Sequence, residues 1–223
     1  MQNQHQSVTF LTTPNLVLRP PEMADLPFFT RWINQPEFRL VLAVRTPYSE
    51  LAERDWLERI MRPGIPPSDI VFAIDLVENE VRTLIGTMGL HHIDWFNRRA
   101  ATGSYIGNAQ HRGKGYGREA KLALLEYAFN TLDLQKIDSE AFSHNLASQK
   151  CLLACGYQQE GVRRSIAFIN GQRVDGVMFG ITAAEWREQH PVRLQAANQL
   201  TTTVAPIAPR IWKNFISEYP YLI

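Results

Sequence analysis

Cysteine is almost missing from this chain: positions 151 and 155 hold the only two in 223 residues. Two cannot build a disulfide framework. Charge of one sign is missing too. Lysine and arginine number 23 against 22 aspartates and glutamates, which excludes the strongly basic surface of a protein devoted to nucleic acid. No apolar run approaches the roughly 20 residues that cross a bilayer as a helix. The opening Met1-Gln-Asn-Gln-His-Gln6 has no basic flank and no apolar stretch, so no signal peptide is expected. No internal repeat is visible. What the chain does have is core material, 45 % hydrophobic and 10 % aromatic, enough to exclude wholesale disorder. The length suits one large domain, or one domain and a tail. A cytoplasmic protein without membrane attachment is expected.

Residues 15–20 read as an edge strand stopped by Pro20 and Pro21. Met23, Leu26, Phe29 and Ile33 then recur at helical spacing, with Trp32 widening the face. Ser49 opens a second helix with Leu51, Trp56, Leu57 and Ile60 on its apolar side, ended by the breaker-rich loop 62–69. Strands are predicted at 70–77, 83–90 and 100–106. Their short spacers argue for antiparallel pairing. A long amphipathic helix carrying Leu124, Leu125, Ala128, Phe129 and Leu132 follows, then a strand at 136–142 and a helix at 145–155 stopped by Gly156. Residues 157–169 and 173–182 form a closing hairpin around Asn170-Gly171. The order predicts an α+β fold with helices flanking a mostly antiparallel mixed sheet. Beyond Trp186 lie a Thr/Pro-rich linker and an aromatic tail. There Ile211, Trp212, Phe215 and Ile216 share one helical face, which is expected to be docked on a core or a second subunit.

The most informative stretch is Gln110-His-Arg-Gly-Lys-Gly-Tyr-Gly-Arg-Glu-Ala120. Glycines alternate between a strand and a helix start, where backbone can approach a ligand and exposed amides attract phosphate. It is neither a P-loop nor a dinucleotide fingerprint, because Gly-x-x-x-x-Gly-Lys-Ser/Thr is absent and Arg118 takes the third glycine's place. A plain glycine-rich turn into a helix is the alternative. The pattern Arg112-x-x-Gly115-x-Gly117 resembles the coenzyme-A pyrophosphate loop of the GNAT superfamily of N-acetyltransferases. Asp94-Trp95-x-Asn97-Arg98-Arg99-Ala100, Asn145-x-x-Ser148, Gly156-Tyr157, Asp175 and Ile181-Thr-x-x-Glu185-Trp186 are similar to the RimJ/RimL-like branch. The likeness runs through residues 8–187, leaving 188–223 as linker and tail.

That resemblance implies a GNAT-like fold and acetyl-CoA as co-substrate. The coenzyme would lie in a gap between two splayed strands, beside Tyr105, Ile106 and Gly107 and along 136–142. Its pyrophosphate would rest on the backbone of Arg112, Gly113, Lys114, Gly115, Tyr116 and Gly117. Asn145 would hold the pantetheine arm or start its helix. Ser148 would hydrogen-bond the departing thiolate. Read as residues alone, Asn145 is a plain cap and Ser148 a first-turn serine. The sequence departs from the family pattern at Leu152, where many members have a tyrosine, and at Ala101, where many have a glutamate. The proton acceptor is therefore sought among Glu140, His144 and His92.

No metal is expected. His91 and His92 are neighbours on a strand and so point to opposite faces, and no set of residues has zinc-ligand spacing. Cys151 and Cys155, at i and i+4, read as small core filler rather than as a nucleophile or metal ligands. Transfer would then pass directly from thioester to amine. The acceptor would be the N-terminal amine of a protein, a polyamine or an aminated small molecule. No membrane and no direct nucleic-acid partner are expected, and a homodimer is compatible with the tail. Two other readings use the same residues: a non-catalytic CoA-binding regulatory module, and an interaction protein working through its aromatic tail.

Overall fold

The computed structural model describes residues 8–42 and 44–190. The chain divides into two compact units, Met1–Ala183 and Ala184–Ile223. The aromatic tail expected to dock lies outside the described residues.

Eight strands among the described residues form one sheet: β1 Leu11–Thr12, β2 Leu16–Arg19, β3 Ile70–Glu78, β4 Val81–Asp94, β5 Arg99–Ile106, β6 Lys136–Phe142, β7 Gln158–Ile169 and β8 Gln172–Thr182. Their order is β1-β2-β3-β4-β5-β6-β8-β7. Among the described residues six α-helices accompany them: α1 Leu26–Ile33, α2 Phe38–Val41, α3 Glu50–Met61, α4 Tyr116–Glu126, α5 Leu146–Ala154 and α6 Ala183–Gln189. The α+β expectation holds. All pairings are antiparallel except β5 with β6.

Several local expectations need correction. The strand at 15–20 is not an edge. β1 covers it through Leu11↔Leu18 and Thr12↔Val17, and all four residues of β2 are buried. Phe10 already joins this layer, its amide donating to Leu18 O at 3.1 Å and its ring 5.3 Å from that of Phe72. β4 runs past both predicted ends. Leu51 is 67 % exposed, because α3 turns Glu53 and Leu57 inward instead. The short α2 has no periodic signal, although Phe38 within it is buried. The hairpin turn is as expected, with Asn170 at φ 49° and Gly171 at φ 80°.

Alternation along the strands gives the sheet two working faces. On one, Ala73 packs with Leu26, Phe29, Trp32, Phe38 and Leu57, the core beneath α1–α3. On the other, Phe72 meets Tyr127 at the end of α4, and α5 packs beside α4. Near the first face, buried Arg19 joins three segments. Its guanidinium donates to both oxygens of Asp25 and to Asp75, each at 2.8 Å. Burial works against that charge, but the two carboxylates outweigh it and raise the arginine's pKa.

Candidate functional site

The site begins where a ladder stops. β5 and β6 pair in parallel at only three positions, Arg99↔Lys136, Ala100↔Ile137 and Ala101↔Asp138. Beyond them the strands part, leaving the β6-facing edge of Thr102–Ile106 without a strand. Backbone N–H and C=O groups on such an edge can take an extended ligand as they would take another strand. β6 turns instead to β8, with which it pairs along its whole length.

The fork is held by buried polar groups. Lys121, 3 % exposed, donates from Nζ to Thr102 Oγ1 at 3.1 Å, and the Tyr157 hydroxyl lies 3.2 Å from the same oxygen. Ser139 Oγ donates to the Thr102 carbonyl at 3.3 Å, spanning the first step of the opening. Burial pulls Lys121 down to a pKa of about 8, with Cys151 and Cys155 opposing the shift. Across α5, the hydrogen bond from Cys155, and more weakly Lys121, bring the Cys151 thiol down to about 7 despite its burial, while Cys155 is pushed up. Sequence reading misses this cluster, yet a signal exists: Lys121 stands three, four and seven residues before Leu124, Leu125 and Ala128, on the inward face of α4.

At the wide end of the gap lies the glycine loop. Gly113 and Gly115 have φ of 73° and 92°, and a Cβ on either would meet no other group within 4 Å. The space above them is open. The first α4 amide with an intrahelical bond is that of Glu119, to Gly115 O at 3.0 Å. The amides of Tyr116, Gly117 and Arg118 precede it at the positive end of the helix, an arrangement suited to an anion. Lys114 is exposed and Tyr116 half-buried. Glu119 anchors the loop from behind by accepting from Thr13 Oγ1, the Asn15 amide and Asn15 Nδ2.

Arg112 behaves differently from its neighbours in the loop. Its Nε donates to Ile106 O at 2.9 Å and its NH2 group to Gly107 O at 2.7 Å. The guanidinium also lies over the Phe38 ring, 4.9 Å from its centroid. Its charge clamps the end of β5 to α2 rather than reaching out of the loop. Gly107 is compelled by packing, since a Cβ there would run into the Trp32 ring. Tyr105 rests against Trp32 and Phe38 and hydrogen-bonds Thr87. Its pKa is raised by burial and by the nearby Glu53 carboxylate.

Asn145 caps α5, its Oδ1 accepting from the Ser148 amide at 3.2 Å. Ser148 is half-buried in the first turn, and its hydroxyl has no hydrogen-bond partner among the described residues. His144 donates from Nε2 to Leu40 O at 2.7 Å, since a carbonyl can only accept. Its ring also stacks on Phe142. Glu140 pairs with Arg163 at 3.3 Å. His92 is exposed at the irregularity late in β4, with φ 53°. The structure thus brings Glu140 and His144 to one region but gives each a standing partner.

Beside them opens a cleft of about 800 Å³ between α2, β6 and β7. Val41, Leu42, Phe142, Ile166, Ala167 and Phe168 form its apolar lining, with Arg45 and Glu140 as its charged members. Among the described residues no group of His, Cys, Asp and Glu is arranged to hold a metal.

Comparison with known proteins agrees with this geometry. Residues 15–158 match the model of the acetyltransferase (GNAT) domain. The chain is 30 % identical over 177 residues to the uncharacterized N-acetyltransferase p20 of Bacillus licheniformis, covering 79 % of this chain and 97 % of that one. It is 32 % identical over 160 residues to spermidine N(1)-acetyltransferase of Vibrio cholerae, covering 72 % and 88 %. The [ribosomal protein uS5]-alanine N-acetyltransferase of Escherichia coli is 25 % identical over 115 residues, covering 52 % and 59 %. In fold, the structure of V. cholerae spermidine N-acetyltransferase with CoA and spermine superposes with a TM-score of 0.70 at 24 % identity, covering 78 % of this chain and 99 % of that one. A parted parallel strand pair, a glycine loop at its wide end and a family match across most of the described chain agree: this protein belongs to the GNAT N-acetyltransferase family.

Proposed function

We propose that the protein transfers the acetyl group of acetyl-CoA directly to an amine, with no acyl-enzyme intermediate. The observation that carries this is the fork itself: an unpaired strand edge leading to three helix-start amides and two glycines with open space above them. These features fit the coenzyme. The β5 edge would hold the pantetheine amides, and the amides of Tyr116, Gly117 and Arg118 the pyrophosphate. Gly113 and Gly115 would allow close approach. Acetyl-CoA supplies an activated thioester; positioning by the protein supplies the rest of the rate. Ser148 contributes a hydroxyl with no hydrogen-bond partner among the described residues, placed to donate to the departing sulfur as it gains charge.

The acceptor would enter from the α1–α3 face through the apolar cleft. Of the charged residues lining it, Glu140 is already neutralised by Arg163, and Arg45 adds positive charge. That lining favours an amine with one cationic centre and an apolar body over a polyamine, whose second ammonium would find no carboxylate left over. A protein N-terminus with an apolar first residue, or an aryl-alkyl amine, fits this description. The test is release of free CoA thiol with a panel of spermidine, tripeptides of varied first residue and 2-phenylethylamine. Turnover of the apolar amines at least tenfold above spermidine is expected. A preference for spermidine would sink the acceptor assignment, and no thiol release with any amine would sink the transfer reading.

A further inference from the structure

None of the residues nominated from sequence is well placed to take the acceptor's proton. Glu140 is ion-paired, and His144 spends its Nε2–H on Leu40 O. The sheet register points to a fourth group. His91 of β4 pairs with Ala101 of β5, and Ala101 pairs in turn with Asp138 of β6, next to the fork. Partners across a sheet share a face, so His91, Gly89, Gly103 and Tyr105 lie on the face that carries Glu140 and Phe142 of the cleft. His91 therefore stands on the β4 side of the gap, with the cleft on the β6 side.

The ring is oriented for the task. Its Nδ1 lies 3.0 Å from Asp69 Oδ1, and a carboxylate can only accept, so Nδ1 carries the proton. That leaves Nε2 with its lone pair, and among the described residues Nε2 has no hydrogen-bond partner. It hangs over two glycines: a Cβ on Gly89 or Gly103 would lie 3.0 Å from it. Any larger side chain there would displace the ring or close the path along β5 toward Tyr105. Asp69 is itself held. Its burial favours the neutral acid, but Ser68 and His91 hydrogen bonds and the Arg59 charge bring its pKa below the usual carboxylate range. The backbone around it is fixed by Ile93 N donating to Ser68 O and by the Trp95 indole donating to Pro67 O.

We infer that His91, oriented by Asp69, is the general base that deprotonates the acceptor ammonium as it enters across Gly103. This rests on the acetyltransferase reading. The proton moves from R–NH3+ to Nε2, giving a neutral amine and an imidazolium whose Nδ1–H still faces the Asp69 carboxylate. The amine nitrogen then bonds the thioester carbon and the C–S bond breaks. The sulfur leaves with the electron pair and takes the second amine proton, and His91 returns its proton to water. The charged groups facing this ring are Asp69 from the loop, Arg59 of α3 at 3.7 Å from Asp69, and, one strand beyond Ala101, Asp138 paired with Arg99 and Lys136. Asp69 is the one in contact.

The test uses the full chain, saturating acetyl-CoA and the panel amine that the wild type turns over fastest. His91→Gln should lower kcat/KM about a hundredfold at pH 7, the low end of what general bases contribute. It should also replace the wild-type acid limb of the pH profile with one that follows the ionisation of the amine itself, and leave the acetyl-CoA Kd within about threefold. Asp69→Asn should lose roughly tenfold and keep an acid limb. A separate reading needs no substrate: 15N NMR of the wild-type imidazole, at a pH where the ring is neutral, should show the proton on Nδ1 and Nε2 bare. Nε2 found protonated there, or an unchanged kcat/KM in folded His91→Gln, overturns the base assignment and leaves the acetyltransferase reading standing. No turnover of any panel amine by the wild type overturns both.

Discussion

The two ends of the gap between β5 and β6 are built on opposite principles. At the narrow end, Thr102 is surrounded: its hydroxyl meets Lys121 and Tyr157, and its carbonyl meets Ser139, all of them buried. At the wide end, a Cβ added to Gly113 or Gly115 would meet nothing within 4 Å. One end is tied by buried hydrogen bonds where the two strands part; the other presents the helix-start amides proposed to take the pyrophosphate. Changes at the narrow end should therefore register as stability, and changes at the wide end as binding.

The largest expected effect is at the narrow end. Thr102→Val keeps the shape but strips the acceptor from a buried ammonium and the partner from a buried phenol. A loss of about 3 kcal/mol in unfolding free energy is expected, read by urea denaturation, with the acetyl-CoA Kd of the folded protein within about threefold of wild type. A weakened Kd at unchanged stability would erase the contrast between the ends.

Lys121→Met sharpens the same contrast with the opposite sign. The lysine's folded pKa of about 8 lies below its ordinary 10.5, so burying it charged costs stability at every pH below about 8. As pH rises from there toward 10.5, the folded lysine gives up its proton before the unfolded one, and wild-type stability recovers. Methionine removes that cost and gives up one hydrogen bond. Each tenfold loss of proton affinity on folding corresponds to about 1.4 kcal/mol. After allowance for the lost hydrogen bond, the variant should be more stable than wild type by about 2 kcal/mol at pH 7, and the gap should narrow through that window. A pH-independent difference would show that the ammonium is not desolvated as described.

Ser148→Ala probes the chemistry between the two ends. It should lower kcat at least tenfold and change the acetyl-CoA Kd by less than about threefold, because its hydroxyl acts on charge that appears only as the thiolate leaves. Normal kcat in the folded variant would reduce Ser148 to a first-turn helix serine. The smallest effect should come from Gly117→Val. Its φ is ordinary, and an added Cβ would come no nearer than 4.0 Å to Ile106 Cγ1, so Tm should move little. Acetyl-CoA binding should weaken about tenfold in calorimetry, as the branched side chain enters the phosphate's space. Unchanged affinity would remove the loop from the binding site.

Much of this can be read from the residues in order. Asn170-Gly171 announces its hairpin because both positions need positive φ, and the spacing Arg112-x-x-Gly115-x-Gly117 marks a loop entering a helix. Those are local demands, met within a few residues. The role of Arg112 cannot be read the same way. In the loop it looks like a phosphate ligand, but the carbonyls of Ile106 and Gly107 and the ring of Phe38 come from other segments and claim its charge. His91 escapes sequence reading for a similar reason. Beside His92 it reads only as one of two neighbouring strand histidines, and nothing in its own stretch tells of Asp69, 22 residues earlier.

The sequence by itself determined most of the elements, the closing hairpin turn and the glycine loop that enters α4, because periodicity, turn residues and helix starts depend on near neighbours. Only the tertiary structure decided where the site is. β8 pairs along the whole of β6, while β5 meets it at three positions, and Lys121, Tyr157 and Ser139 hold Thr102 at that point of parting. Strand order and the extent of pairing are settled by competition among residues far apart in the chain. No stretch of sequence carries that competition by itself, and here its outcome is an open edge between two strands, the edge proposed to hold the coenzyme.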